Sequence, residues 1–169
     1  MGLKPGDAVA VLMRNDIAFL EASLAALRVG AYAVPINWHA APQEVGYILK
    51  DSGARALVAH ADLLVPLGAE ILSGIDIFVV KTPADLLAAY RIDVKETALW
   101  TQAKDWFEWL QVQPKHGGDA FSVAQSMFYT SGTTGVPKGV RRFAPTPSRK
   151  HLWKKRGATY TALRPVGVF

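Results

Sequence analysis

A chain of 169 residues with 50% hydrophobic and 20% charged composition and a mean hydropathy of +0.14 has enough apolar material for an ordinary core, which excludes intrinsic disorder and fibrous repeats. The absence of cysteine excludes a disulfide scaffold, a thiolate metal site and a cysteine nucleophile, and fits a reducing compartment. The formal charge of +5 points first to a polyanionic partner, but it is unevenly placed: residues 1–140 hold 11 Lys and Arg against 14 Asp and Glu, whereas residues 141–169 hold 8 Lys and Arg and no acid. No stretch reaches the roughly 20 apolar residues of a membrane span, and the first residues, MGLKPGD, lack an apolar signal core; the expected location is the cytoplasm.

After a turn at Lys4-Pro5-Gly6-Asp7, residues 8–13 form a continuous apolar run with Val9 and Val11, the pattern of a strand covered on both faces. Asn15 or Asp16 can cap a helix in which Phe19, Leu20, Leu24 and Leu27 recur at helical spacing, with Gly30 as its C-terminal stop. A second strand is expected over residues 31–36, completing a βαβ unit. Pro42 opens a further helix with Val45, Ile48 and Leu49 on one face and Asp51-Ser52-Gly53 at its end. Residues 56–59 read as a third strand, 63–72 as one helix with Pro66 near its start, and 75–80 as a fourth strand. Such alternation predicts an α/β fold: a mainly parallel sheet with helices on both faces.

Beyond Pro83 the pattern weakens. Residues 100–110 read as a helix whose Trp106, Phe107, Trp109 and Leu110 form a stripe suited to packing rather than to a membrane surface, because Lys104 and Asp105 give no basic face. Residues 114–119 read as a loop and 126–130 as a strand. His60, His116 and His151 show no metal-ligand spacing, Trp38 and His39 read as packed or surface residues, and Arg141-Arg142 as a solvated pair at a strand end. No metal site is expected.

The chemistry is concentrated in residues 129–139, YTSGTTGVPKG, which put four Ser and Thr, three Gly and one Lys into eleven positions. Glycines let successive backbone N–H groups approach an anion, hydroxyls add donors and lysine adds charge, so the segment suits a polyphosphate. A Walker loop places Gly-Lys-Ser/Thr before a helix; here Pro137 precedes Lys138, and Gly139-Val140 continues as a strand. A strand, loop, strand layout follows, for which the alternative is a Gly/Thr-rich surface hairpin.

The string YTSGTTGVPKGV resembles the phosphate-binding signature of the AMP-forming adenylating enzymes: acyl- and aryl-CoA synthetases, peptide-synthetase adenylation domains and firefly luciferase. The preceding text, from GLKPGDAVAVLM through INWHAAPQEVGYILKDSGARALV, is similar to the same family's large N-terminal domain. The resemblance covers residues 1–147 and is closest to bacterial fatty-acyl-CoA synthetases. It implies a partial N-terminal domain ending in a phosphate-loop hairpin. It also implies a two-step reaction, in which a carboxylic acid, expected to be a fatty acid, is converted by ATP with Mg²⁺ to an acyl-adenylate and then passed to coenzyme A. By position, Thr130, Ser131, Gly132, Thr133, Thr134, Gly135 and Lys138 would hold the β- and γ-phosphates. The family's adenine-binding, ribose-binding and catalytic-lysine motifs have no counterpart here, so no catalytic residue is assigned and the chain alone is expected to be inactive. Residues 148–169 resemble nothing in the family; a shift of reading frame or a premature gene end is the hypothesis for them. A non-catalytic nucleotide or nucleic-acid binder with a cationic tail is the alternative, nucleic acid being the less expected partner.

Overall fold

The computed structural model describes residues 2–93, 103–115, 117, 126–130 and 137–141. The anticipated tail at 148–169, its boundary at 147, and residues 100–102 lie outside these.

The first apolar run forms β1 (Ala8–Leu12), every residue of it buried. Asp16 then caps α1 (Ile17–Arg28), its carboxylate accepting from the Ile17 N–H. Gly30, at φ 82°, takes the left-handed conformation that turns the chain into β2 (Tyr32–Pro35). α2 (Pro42–Ser52) starts on proline and stops at Gly53, whose φ of 64° leads directly into β3 (Ala54–His60). β4 (Asp76–Val80) and the two-residue β5 (Lys104–Asp105) complete a five-stranded sheet of order β2-β1-β3-β4-β5, all of whose pairings are parallel.

Side-chain alternation divides the core in two. Ala8, Ala10, Leu12, Leu57, Ala59, Ile77 and Val79 face α2, meeting Val45, Ile48 and Leu49. Val9, Val11, Met13, Ala56, Val58, Phe78 and Val80 face the other way, meeting Ala18, Ala22 and Ala26 of α1 and Trp106. Helices therefore cover both faces, as the strand, helix alternation requires. The fully buried residues of α1 are all alanines, with Phe19 and Leu27 packing at the margin, while Ile17, Leu20 and Leu24 on its outer side are exposed.

Three stretches differ from the sequence reading. The anticipated helix over 63–72 is broken into α3 (Ala61–Leu64), a 3₁₀ turn at Val65–Leu67 and α4 (Gly68–Ile71). Pro66 removes a backbone donor and Gly68, at φ 68° and ψ 161°, leaves helical space altogether. A helix absent from that reading, α5 (Ala84–Tyr90), follows β4. The helix expected from residue 100 begins only at Trp106, as α6 (Trp106–Gln111), because residues 104 and 105 pair with β4 and the Asp105 carboxylate caps the helix by accepting from the Glu108 N–H at 2.9 Å. Of the anticipated stripe, Trp106, Trp109 and Leu110 pack, with Phe78 edge-on to Trp106 and Trp106 stacked on Trp109, whereas Phe107 is exposed. Among the described residues no helix is long and apolar enough to cross a membrane.

The close seat of α1 depends on small side chains. Ala22→Leu should lower stability by ~1–3 kcal/mol through overpacking, read as a lower urea midpoint with an unchanged m value.

Candidate functional site

In this strand order the chain reverses direction across the sheet at β1 and β3, and the crevice at the carboxyl ends of those strands is where open α/β sheets commonly take ligands. Here that crevice is filled by the protein's own side chains. Arg14, two residues past β1, is buried; its Nη1 stands 2.8 Å from Asp62 Oδ2 in an ion-pair contact without hydrogen-bond geometry. Thr82, just past β4, donates its hydroxyl to the other oxygen of Asp62 at 2.6 Å. Trp38 and Tyr90, in edge contact with each other, both lie over the guanidinium, each ring centroid 4.8 Å from its central carbon.

His60, with no exposed surface, ends β3 beside this pair. Its Nδ1 accepts from the Arg14 N–H at 3.3 Å, so the proton of the neutral ring sits on Nε2, which donates to Asp16 Oδ2 at 3.0 Å. Asp16 thus uses one oxygen for α1 and the other for His60. The histidine read from sequence as isolated is a structural tie between two elements. Trp38 packs against His39 and Tyr90, in line with a packing role.

Of the phosphate-loop candidates, Thr130 and Lys138 lie at the opposite edge. β6 (Phe128–Thr130) and β7 (Lys138–Val140) pair antiparallel, with Phe128 opposite Val140, Tyr129 opposite Gly139 and Thr130 opposite Lys138. This register brings Thr130 and Lys138 together at the two ends of residues 131–136. Ser131, Gly132, Thr133, Thr134 and Gly135 lie outside the described residues.

The paired strands are held on β2 and the end of α2. Buried Met127 joins the α2-side core, and its N–H donates to the Ala33 carbonyl of β2 at 2.8 Å. α2 runs back from the carboxyl end of β2 to the amino end of β3, so its last residues, Asp51 and Ser52, sit at the amino edge of the sheet. Tyr129 donates its hydroxyl to Asp51 Oδ2 at 2.6 Å, and Arg141 donates from Nη2 to the Ser52 carbonyl at 3.1 Å. Arg141, exposed as expected, also caps a helix end and lies over the Tyr32 ring. Partial burial, and then the acceptor carboxylate of Asp51, push the Tyr129 phenol above its ordinary value.

Sequence reasoning missed Arg14, Asp62 and Asp51. Asp51 carried one usable signal, an acid in the last turn of a helix, where the dipole disfavours it. Two open grooves near the same edge share Ala54, Ser73 and Ile75. Two of the charged groups around them are already paired, Arg55 with Asp7 and Asp76 with Lys104.

Comparison with known proteins agrees with this architecture. The family described as AMP-binding enzyme matches residues 1–142. A long-chain-fatty-acid–CoA ligase, FadD13 of Mycobacterium tuberculosis, is 34% identical over 142 residues, covering 83% of this chain and 25% of its own. A fatty acid–[acyl-carrier-protein] ligase, ScoC of Streptomyces coeruleorubidus, is 32% identical over 139 residues, covering 82% and 24%. In fold, the anthranilate CoA ligase AuaEII superposes with a TM-score of 0.67 at 24% identity, over 85% of this chain and 26% of that one. The chain spans about a quarter of the length of these two bacterial ligases.

The crevice at β1 and β3 gives a stability test. Asp62→Asn should cost ~3–5 kcal/mol by leaving Arg14 as a buried charge without its counter-ion, whereas removing both charges in an Arg14→Met, Asp62→Leu double variant should recover most of that loss. Urea titration of the three proteins checks it; a double variant as unstable as Asp62→Asn would refute it.

Proposed function

Because the chain belongs to the AMP-binding enzyme family, we propose that it supplies the polyphosphate-binding loop of a ligase that activates a carboxylic acid with ATP. In the first step the acid's carboxylate oxygen attacks the α-phosphorus of ATP. The bond from that phosphorus to the bridging oxygen breaks, and pyrophosphate leaves with its electron pair. In the second step the thiol of coenzyme A adds to the acyl carbon, loses its proton and expels AMP. The observation that supports this reading is the pairing of Thr130 with Lys138 within the matched segment, which brings together the two ends of the hydroxyl- and glycine-rich stretch of sequence.

In this reading Thr130, Ser131, Gly132, Thr133, Thr134, Gly135 and Lys138 receive the β- and γ-phosphates. Lys138 neutralises charge that accumulates on the departing pyrophosphate, and the backbone and hydroxyl donors fix its position, the two effects that carry most phosphoryl-transfer catalysis. These donors suit phosphate oxygens, and Mg²⁺ is commonly bound by substrate phosphates with one or two carboxylates, so the ion would enter with the nucleotide. A fatty acid is the substrate we favour, since FadD13 and ScoC both carry one in their names. The acceptor differs between those two names; coenzyme A is the one we assign here.

The two relatives are about four times as long as the matched segment, and the resemblance places the adenine, ribose and catalytic-lysine groups in the part not matched. Two outcomes follow. The 169-residue chain should give no ATP–pyrophosphate exchange with a panel of fatty acids, and robust exchange would refute the incomplete-site reading. Calorimetry should show MgATP binding that weakens at least tenfold in Lys138→Ala; an unchanged affinity would remove the loop from phosphate binding.

A further inference from the structure

The hairpin stem is fastened to a single turn of a single helix by two bonds that come from opposite strands. From β6, the Tyr129 hydroxyl reaches Asp51, and from the exit of β7, Arg141 reaches the carbonyl of Ser52. Tyr129 can do so only because its cross-strand neighbour is glycine. A Cβ at position 139 would lie 2.8 Å from Tyr129 Cζ and 2.9 Å from its hydroxyl, so the ring lies directly over the bare backbone of Gly139. Asp51, in turn, sits where an acid works against its own helix, and its described partner is the phenol of the residue that precedes Thr130.

We propose that the last turn of α2 is the platform that aims the phosphate loop, with Asp51 and Tyr129 as positioning residues and Gly139 as the gap through which phenol meets carboxylate. This rests on the reading that residues 130–138 receive phosphates. The physical reason is register. Side chains alternate faces along a strand, so a slip of one residue in the β6–β7 pairing would leave Thr130 and Lys138 on opposite faces instead of the same one. The latched pair adjoins both ends of the loop: Tyr129 precedes Thr130 and Gly139 follows Lys138. Holding Tyr129 over Gly139 and against a fixed helix end excludes that slip.

The test uses the full chain, with hydrogen exchange and MgATP calorimetry on Tyr129→Phe, Asp51→Ala and Gly139→Ala. Each should speed exchange of the stem amides at residues 128–130 and 138–140 about tenfold, the factor expected for one hydrogen bond to a charged group. Each should weaken MgATP binding by a similar factor and leave the amides of β1, β3 and β4 unchanged. Asp51→Ala removes an acid from a helix C-terminus, so α2 itself should not loosen, which separates positioning from a general loss of structure. It should also lower the pKa of the Tyr129 phenol, read by ultraviolet absorbance, by removing the carboxylate's share of the upward shift while that of burial stays. The Tyr129→Phe, Asp51→Ala double variant should be no worse than either single one. Unchanged stem exchange, or loosening that spreads through β1, β3 and β4, overturns the latch; a loosened stem with wild-type MgATP affinity overturns its aiming role. Lys138→Ala reports separately: if it keeps full affinity, the phosphate reading fails and takes the aiming role with it, while the exchange data still decide whether the latch exists.

Discussion

Every feature of this molecule follows from the burial of β1 and β3 on both faces. A parallel strand flanked by partners and covered above and below must be reached by crossovers that alternate between the two faces. The chain obeys: α1 passes over the face lined by Val9, Val11 and Phe78, and α2 returns over the face lined by Ala10, Leu12 and Leu57. The return crossover carries the end of α2 to the amino edge of the sheet. There Asp51 and Ser52 meet Tyr129 and Arg141, so the topology of the central strands fixes where the β6–β7 pair is seated.

The two sheet edges are used in opposite ways. At the carboxyl edge, the strand order creates a switch point, and general experience with α/β sheets would place a ligand there. Arg14, Asp62, Thr82 and His60 occupy it instead, with Trp38 and Tyr90 closing over the guanidinium. Burying an ion pair stabilises little against an apolar equivalent. Its effect here is geometric, since it ties the ends of β1, β3 and β4 together. Thr130 and Lys138 stand at the other edge, on the antiparallel β6–β7 pair outside the five-stranded sheet.

What the sequence disclosed and what it concealed divide along the same physical line. The strands β1 to β4 were legible because each is a short apolar run, and α1 and α2 because Asp16, Gly30, Pro42 and Gly53 mark their ends with local chemistry. α5 was hidden because it lacks such marks: Pro83 gives no side-chain cap, and the helix ends on Arg91 in the left-handed conformation, φ 54°, where glycine would have announced it. The break between α3 and α4 was underread, since Pro66 is tolerated near a helix start and only the positive φ of Gly68 ends the run. The hydroxyls, glycines and lysine of residues 129–139 were visible as a set. Their seat on Asp51 was not, because it joins residues 78 positions apart and leaves no local trace.

Asp16 divides its two carboxylate oxygens between the first N–H of α1 and the imidazole that terminates β3. A helix whose first turn frays ordinarily does so alone. Here the fraying of α1 withdraws the acceptor from His60, and His60 also holds the Arg14 backbone that leads out of β1. The start of the helix and the ends of two central strands are therefore one cooperative unit, which must open together or remain closed.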